Sequence, residues 1–154
     1  MILVTGGTGM VGAHVLFALA KKNLPTLALY RTEERLQKVV NLFKLLAPDN
    51  PNYFNQIKWH KADLNDFLKL EEIFTKVTLV YHCAAKVSFA QYHLEKLNKT
   101  NIDGTANIIN LALKYKIKKV AFVSSIASLG VENTVTLVNE NHLWNSSLLH
   151  TPYA

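Results

Sequence analysis

The sequence MILVTGGTGMVG, residues 1–12, decides the fold. Its first five residues are an apolar run that predicts a buried β-strand, and a glycine-rich segment follows at once. The glycines fit two spacings, G-x-G-x-x-G from Gly7 and G-x-x-G-x-x-G from Gly6, and both include Gly9 and end at Gly12. Such spacings let a strand turn sharply into a helix and let the backbone approach a pyrophosphate closely. The stretch therefore predicts a strand, a phosphate-binding turn and a helix, which begin a dinucleotide-binding unit.

Short apolar runs along the rest of the chain predict further strands, and longer segments with helical spacing separate them. The five predicted strands are Met1–Thr5, Thr26–Tyr30, Ile57–Lys61, Thr78–His82 and Val120–Ser124. Alternation of strand and helix is typical of βαβ units, which form a parallel sheet with helices on both faces. The predicted fold class is an α/β, Rossmann-type doubly wound parallel sheet with strand order 3-2-1-4-5.

Helices are predicted where apolar residues recur three and four positions apart. The first covers Gly9–Lys22, the second includes Leu36–Phe43 and the third Leu70–Val77. The longest, Tyr92–Tyr115, is expected to bury Leu94, Leu97, Ile102, Ile108, Ile109 and Ala112. Tyr30, Phe43, Phe74 and Phe122 are expected to serve packing.

Two segments lack this periodicity. Ala47–Gln56, which contains prolines and asparagines, is expected to be an irregular surface loop. Val131–Pro152, rich in Asn, Ser and Thr, is expected to be a long excursion of the kind that is usually functional or disordered.

The composition, 154 residues with 49% hydrophobic and 18% charged, indicates one globular domain. The net charge is +6, but the lysines are scattered and do not form a stripe interleaved with aromatic residues, so nucleic-acid binding is not expected. The single cysteine, Cys83, excludes an intrachain disulfide. We find no secretory signal and no apolar run of about 18 residues that could span a membrane, and we expect a cytoplasmic protein. The histidines lack metal-ligand spacing, so no metal site is predicted.

The residue at the end of the second strand bears on the choice of cofactor. NAD-binding folds of this kind usually place an acidic residue about 20 residues beyond the glycine turn, where it binds the ribose 2′-hydroxyl. This chain has Arg31 there, and a guanidinium can bind a 2′-phosphate through two hydrogen bonds. Arg31 therefore favours NADP over NAD. The alternative is that Arg31 lies in solvent while Glu33 or Glu34 meets the ribose of NAD.

Together with later motifs, the glycine turn resembles the extended short-chain dehydrogenase/reductases, the NAD(P)-dependent epimerase/dehydratase family, over Met1–Ala154. Within it, the chain is similar to dihydroflavonol-reductase-like and 3β-hydroxysteroid-dehydrogenase-like members. The later motifs are Ala62-Asp63-Leu64, His82-Cys83-Ala84-Ala85, Asn101-Ile102-Asp103-Gly104-Thr105, the serine-rich Val123–Gly130 and Pro152-Tyr153-Ala154.

The resemblance implies a role for each motif. Asp63 would meet the adenine amino group, with a cap for the next helix as the alternative. Small residues after His82 would let the cofactor pass close by, and Asn101 would shape the helix beside the active site. Lys86 would reach a phosphate or the substrate, with a surface lysine as the alternative. The predicted cofactor-binding residues are Gly6, Thr8, Gly9, Met10, Val11, Gly12, Arg31, Asp63, Leu64, Ala84, Ala85, Lys86, Asn101 and Ser124.

Two catalytic residues are implied by the resemblance. Ser125 matches the family's catalytic serine, and Tyr153, 28 residues further on, matches its catalytic tyrosine. The family's motif continues to a lysine four residues after the tyrosine, whereas this chain ends one residue after it. We therefore expect the N-terminal part of a longer protein, with residues 1–154 an incomplete NAD(P)-binding domain that is inactive alone and lacks the substrate-binding part.

For the full-length protein, the resemblance implies an NAD(P)-dependent oxidoreductase, epimerase or dehydratase that acts by hydride transfer at a carbonyl or carbinol carbon of a small-molecule substrate. The expected reaction is NADPH-dependent ketone reduction of the dihydroflavonol-reductase type, and a homodimer through the long helix is an option. The alternative is a noncatalytic NADP(H)-binding sensor or interaction module.

Overall fold

The computed structural model describes residues 1–129, 139–141 and 153. Within these residues the chain forms a five-stranded parallel sheet of order β3-β2-β1-β4-β5. The strands are β1 Ile2–Thr5, β2 Thr26–Tyr30, β3 Ile57–Lys61, β4 Leu79–His82 and β5 Lys119–Phe122. The predicted fold class and strand order are confirmed. Because the order reverses between β1 and β4, a crevice opens at the carboxyl ends of these two strands.

Helices cover both faces of the sheet. Their bounds are α1 Met10–Lys21, α2 Glu33–Leu46, α3 Phe67–Phe74, α4 Leu94–Asn98 and α5 Gly104–Lys114. Acidic Glu33 and Glu34 occupy the first turn of α2, where the helix dipole favours negative charge. Asp66 caps α3, since its carboxylate accepts a hydrogen bond from the Lys69 N–H at 3.3 Å.

The core lies in two layers because alternate strand residues face opposite sides of the sheet. One layer packs against α3 and α5 and includes Leu3, Leu27, Leu70, Phe74, Val80, Ile108 and Leu111. The other packs against α1 and α2 and includes Val4, Leu16, Ala28, Val39 and Phe43. The helical stripes predicted for the first three helices supply most of these buried helix residues, whereas Val11, on the predicted stripe of the first helix, is 44% exposed.

The segment between α2 and β3 is more ordered than the sequence suggests. Pro51–Gln56 forms a 3₁₀ helix, and the Phe54 ring stacks on the Trp59 ring with centroids 5.3 Å apart. Tyr53 meets the Phe17 ring edge-on at 5.5 Å. The prediction of an irregular surface loop is wrong for these residues, because the aromatic side chains bury apolar area against α1 and β3.

The predicted long helix is interrupted. A π-helical segment, Lys99–Asp103, separates α4 from α5. Leu97, Ile108 and Ala112 are buried as predicted, whereas Leu94, Ile102 and Ile109 are exposed, Ile102 by 62%. The wider π turn shifts the faces before and after it out of phase, so the inner side could not be read from one helical period.

The end of the sheet also differs from the prediction. β5 ends at Phe122, two residues before the predicted end, and the Phe122 side chain is 55% exposed and does not lie in the core. Of the predicted excursion Val131–Pro152, only residues 139–141 are described, so that prediction lies outside the described residues. No helix of the described part is long and apolar enough to cross a membrane.

Candidate cofactor-binding site

The glycine turn closes tightly between β1 and α1. Gly6 has φ +66°, a left-handed conformation, and its Cβ, were there one, would lie 2.7 Å from the Ala84 backbone at the end of β4. The Gly9 N–H donates to the Gly6 carbonyl at 2.9 Å. A Cβ at Gly12 would overlap the same Gly6 carbonyl oxygen. Only glycine therefore lets the turn lie against both β4 and α1.

The N-terminus of α1 follows directly on this turn. Gly9 is the N-cap residue and offers no side-chain hydrogen bond, and the Ala13 N–H donates to the Gly9 carbonyl at 2.9 Å. By helix geometry the N–H groups of Met10, Val11 and Gly12 have no carbonyl one turn earlier. These donors and the positive end of the helix dipole suit a phosphate.

A narrow cleft of ≈ 100 Å³ borders the turn. Four strand ends meet there, because the carboxyl ends of parallel strands share one edge of the sheet. Its walls are Gly6, Thr8 and Gly9 after β1, Leu29, Tyr30 and Arg31 at the end of β2, Ala62, Asp63 and Leu64 after β3, Cys83, Ala84 and Ala85 after β4, and Arg35 and Thr100. Burial raises the pKa of the Cys83 thiol in this wall.

A broad cleft of ≈ 1000 Å³ continues outward from the narrow one. The two clefts share Arg31, Arg35, Asp63, Ala85 and Thr100. The broad cleft is also lined by Asn65, Asp66, Phe67, Leu68, Lys86, Val87, Lys96 and Lys99. The structure thus gathers eight of the predicted cofactor-binding residues around the narrow cleft and adds Lys86 in the broad one.

Arg31 and Asp63 form an ion pair in the wall of the narrow cleft. The guanidinium Nη1 lies 3.8 Å from an Asp63 carboxylate oxygen, and both side chains are about half exposed. The other Asp63 oxygen accepts hydrogen bonds from the backbone N–H and side-chain amide of Asn65, each at 3.0 Å. Asp66, not Asp63, caps α3, so the alternative reading of Asp63 as a helix cap is wrong.

Glu33 is engaged by residues other than the two arginines of the narrow cleft. Its carboxylate accepts a hydrogen bond from the Tyr30 hydroxyl at 2.8 Å and lies 3.9 Å from the Lys61 ammonium. The hydrogen bond to Glu33 raises the pKa of the Tyr30 phenol. Among the described residues that line the two clefts, neither Glu33 nor Glu34 is present.

A buried histidine ties the glycine turn to β4 and α5. His82 Nδ1 lies 2.6 Å from Thr5 Oγ1, and its Nε2 lies 3.0 Å from Thr105 Oγ1. Thr5 Oγ1 also accepts the Ala84 N–H at 3.2 Å. The ring is fully buried and stacks on Phe122, and burial lowers the pKa of His82 to about 4. His82 is therefore a neutral hydrogen-bonding bridge at pH 7.

Asn101, from the π-helical segment, holds the loop that follows β4. Its side-chain oxygen accepts the Lys86 N–H at 2.8 Å, and its side-chain amide donates to the Lys86 carbonyl at 2.9 Å. The sequence predicted Asn101 as a cofactor-binding residue, and in the structure its amide is occupied by the loop backbone. Gly104, in the same motif, lies against Leu64, where a Cβ would come within 2.9 Å.

The predicted catalytic residues lie beyond β5 and beside the loop after β4. Ser124 is exposed and Ser125 half-buried. Ser125 Oγ accepts the Ala127 N–H at 3.2 Å. The Tyr153 ring, half-buried, meets the Phe89 ring edge-on with centroids 6.0 Å apart. Pro152 and Ala154, which flank the tyrosine in the motif, lie outside the described residues.

Sequence reasoning missed several residues of the clefts. Arg35, Thr100, Lys96 and Lys99 line them without belonging to a motif. The signal available for Arg35 was its position in the first turn of α2, directly after the strand end that carries Arg31. No motif pointed to the two lysines, of which Lys96 lies in α4 and Lys99 begins the π-helical segment.

A doubly wound parallel sheet with a glycine turn at the strand switch point defines a dinucleotide-binding α/β domain. The NAD dependent epimerase/dehydratase family profile matches residues 2–154. The chain belongs to this family.

Curated relatives come from more than one branch of it. The chain is 32% identical over 139 residues to a putative dihydroflavonol 4-reductase of Synechocystis sp., covering 90% of this chain and 36% of the relative. It is 31% identical over 145 residues to a putative UDP-glucose 4-epimerase of Methanocaldococcus jannaschii, covering 92% and 43%. The chain thus spans well under half the length of these relatives.

Solved structures share the fold. The terminal R domain of the myxalamid PKS-NRPS biosynthetic pathway superposes with TM-score 0.82 at 24% identity, over 99% of this chain and 41% of that one. The UDP-glucose-4-epimerase of Stenotrophomonas maltophila, solved with bound NAD and formylated UDP-arabinopyranose, superposes with TM-score 0.79 at 20% identity, over 99% and 44%.

Proposed function

We propose that this chain binds NADP(H), with the adenosine in the narrow cleft and the pyrophosphate at the glycine turn. Arg31 and Arg35 would hold the 2′-phosphate, and Asp63 would meet the adenine amino group. The observation that carries the preference for NADP is the arrangement at the end of β2. Two guanidinium groups line the cleft there, while Glu33 is bound to Tyr30 and lies near Lys61.

The residues present fit such a cofactor. The helix donors after Gly9 match a diphosphate, and glycine at positions 6 and 12 allows the tight turn from which these donors project. A 2′-phosphate needs donors, which Arg31 supplies as a planar fork, and Asp63, the carboxylate beside Arg31, is left for the adenine amino group.

In the whole protein we propose NADPH-dependent ketone reduction of the dihydroflavonol-reductase type. The nicotinamide would supply the hydride, Tyr153 would donate the hydroxyl proton, and Ser125 would hydrogen-bond the developing alkoxide. The epimerase structures similar to this chain include ones solved with NAD. A preference for NADP therefore favours the reductase branch over the epimerase branch.

A titration of the chain with NADPH and NADH, followed by tryptophan quenching and nicotinamide fluorescence, tests the cofactor assignment. NADPH should bind more tightly. Arg31→Gln should weaken NADPH about 30-fold and NADH less than threefold, because a charge-assisted hydrogen bond to phosphate is lost. The control Lys22→Gln removes one positive charge at the other edge of the sheet and should change neither. Equal weakening of both nucleotides by Arg31→Gln would contradict the proposal.

The reaction is tested separately with the full-length protein. Tyr153→Phe should abolish NADPH-dependent ketone reduction while NADPH still binds. If Tyr153→Phe still reduces the ketone, Tyr153 is not the proton donor.

A further inference from the structure

The amino ends of the strands meet at the edge of the sheet opposite to the clefts. Ile2 of β1 lies beside Thr26 of β2 and Leu79 of β4, and Leu79 lies beside Lys119 of β5. The segments that lead into these four strands therefore lie side by side, over roughly 15 Å at the usual strand spacing. We call the segments 21–25, 75–78 and 113–119 the basic face.

Lysines cover the basic face. It carries no Asp or Glu, and its exposed lysines are Lys21, Lys22, Lys76, Lys114, Lys116, Lys118 and Lys119. Among the described residues, the only carboxylate within 4.0 Å of any of these ammonium groups is that of Glu71, which binds Lys114. Attraction to a helix dipole accounts for a lysine in a last helical turn, such as Lys114. It does not account for Lys118 and Lys119, which lie at the start of β5.

The exposed apolar residues of the basic face are leucines. Leu24, in the connection before β2, is 39% exposed, and Leu113, in the last turn of α5, is 73% exposed. The exposed aromatic residues of the described chain lie in segments near the carboxyl ends of the strands, and they are Phe67, Phe89, Tyr92 and Phe122. Single-stranded nucleic acids bind where aromatic side chains stack on bases. Lysines combined with exposed aliphatic residues suit the surface of an anionic bilayer better.

We propose that the basic face docks this protein on the surface of an anionic phospholipid bilayer. The lysine ammonium groups would bind the headgroup phosphates, and Leu24 and Leu113 would enter the boundary between headgroups and acyl chains. The clefts lie at the opposite edge of the sheet, so they stay open to solvent in the docked protein. The proposal is therefore independent of the cofactor assignment.

Sedimentation with vesicles measures the docking. The chain is expected to bind vesicles of three parts phosphatidylcholine to one part phosphatidylglycerol at an ionic strength of about 0.15 M, and not to bind vesicles of phosphatidylcholine alone. Lys76→Gln/Lys118→Gln should bind the anionic vesicles about 20-fold more weakly, because each lysine near an anionic surface adds to the affinity.

Matched variants separate the basic face from general charge and general apolar exposure. Lys38→Gln/Lys96→Gln removes the same charge from exposed lysines of α2 and α4 and should bind the vesicles within twofold of the wild-type affinity. Leu113→Gln should bind about threefold more weakly, since an inserted apolar side chain is lost. Leu68→Gln, at a leucine of α3 with the same 73% exposure, should not differ from the wild type. Circular dichroism checks that each variant is folded.

The NADPH titration is repeated with saturating anionic vesicles. Because the clefts face away from the bilayer, NADPH should bind within twofold of its affinity without vesicles, and Lys76→Gln/Lys118→Gln should leave that affinity unchanged. Competition between vesicles and NADPH would place the lipid contact at the carboxyl ends of the strands and overturn the proposal. Vesicle binding without any NADPH binding would instead contradict only the cofactor assignment.

Three further results would overturn the proposal. The first is no binding to the anionic vesicles, and the second is equal weakening by a variant of the basic face and its matched control. The third uses a single-stranded RNA as the probe. If the RNA displaces the vesicles, and if Lys76→Gln/Lys118→Gln weakens its binding while Leu113→Gln does not, the basic face binds nucleic acid.

Discussion

The two edges of the parallel sheet are built from the same strands and are held together in different ways. At the amino edge, backbone groups make most of the connections, and the Thr78 hydroxyl adds one to the Met1 carbonyl at 3.3 Å. The Met1 ammonium donates to the Lys76 carbonyl at 2.9 Å, and the Lys118 N–H donates to the Thr78 carbonyl at 3.2 Å. At the carboxyl edge, side chains add to backbone bonds such as that from the Cys83 N–H to the Thr5 carbonyl at 3.3 Å. There the buried His82 bridges Thr5 and Thr105, and the half-buried Asn101 holds Lys86.

This difference indicates where the stability of the fold depends on the identity of a side chain. A backbone hydrogen bond is available to almost any residue, so the amino edge tolerates substitution. A bridge through an imidazole or an amide exists for few residue types, and its loss leaves buried partners unsatisfied. We therefore expect the carboxyl edge, which also carries the clefts, to be the sensitive one.

The largest effect is expected in the glycine turn. Gly12→Ala should destabilise the fold by roughly 3 kcal/mol and abolish NADPH binding, because the added methyl overlaps the Gly6 carbonyl. Gly9→Ala is the matched variant, since its Cβ would lie 3.3 Å from the same oxygen and needs only a small shift. Urea unfolding and NADPH titration measure both. Equal destabilisation by the two variants would contradict the steric explanation.

The His82 bridge should make stability depend on pH. Its pKa is lowered from 6.5 to about 4, so between these pH values the unfolded chain binds a proton that the folded chain does not. The stabilisation is complete above pH 6.5 and is lost as the pH falls toward 4, by about 3 kcal/mol at most. Urea unfolding at pH 7, 5.5 and 4.5 measures the loss.

His82→Gln serves as the comparison for this pH dependence. It should be less stable at pH 7 and lose less stability on acidification than the wild type. His60→Gln, at an exposed histidine of β3, should follow the wild-type curve. If His82→Gln and the wild type lose the same stability between pH 7 and 4.5, the bridge does not titrate as described.

The Asn101 contacts should give an intermediate effect. Asn101→Ala leaves both the N–H and the carbonyl of Lys86 without their partner and should cost about 2 kcal/mol. Asn101→Asp keeps the acceptor for the N–H and should cost roughly half as much. Thermal unfolding measures the loss of unfolding free energy in each variant. NADPH titration shows whether the loop after β4 has moved. If Asn101→Asp is as unstable as Asn101→Ala, the two hydrogen bonds to the Lys86 backbone do not contribute separately to stability.

The smallest effect, and one of opposite sign, is expected at the amino edge. Lys116 has φ +51° after the end of α5, a left-handed conformation that costs a non-glycine residue about 1 kcal/mol. Lys116→Gly should stabilise the chain by up to about 1 kcal/mol, without any change in NADPH affinity. A destabilised variant would mean that the Lys116 side chain makes a contribution larger than the backbone strain.

The sequence predicted most of the strands and the class of site, because their signals are local. A buried strand such as β1 is a run of apolar residues, and the turn from Gly6 to Gly12 needs glycine for steric reasons visible in the spacing. Other features arise from distant contacts. The burial of Phe54 against Trp59 and the exposure of Ile102 depend on which surfaces meet after folding, and no periodicity within one segment contains that information.

For this protein, the sequence by itself determined the doubly wound sheet, its strand order and the membership in a dinucleotide-binding class. Glycine spacing and hydrophobic period are properties of residues close together in sequence, and each is compatible with few backbone conformations. Only the tertiary structure decided that Glu33 is held near Lys61, that Asn101 holds Lys86, and that three lysines from different segments line one cleft. These are relations between residues far apart in sequence, and only packing sets the distances between them.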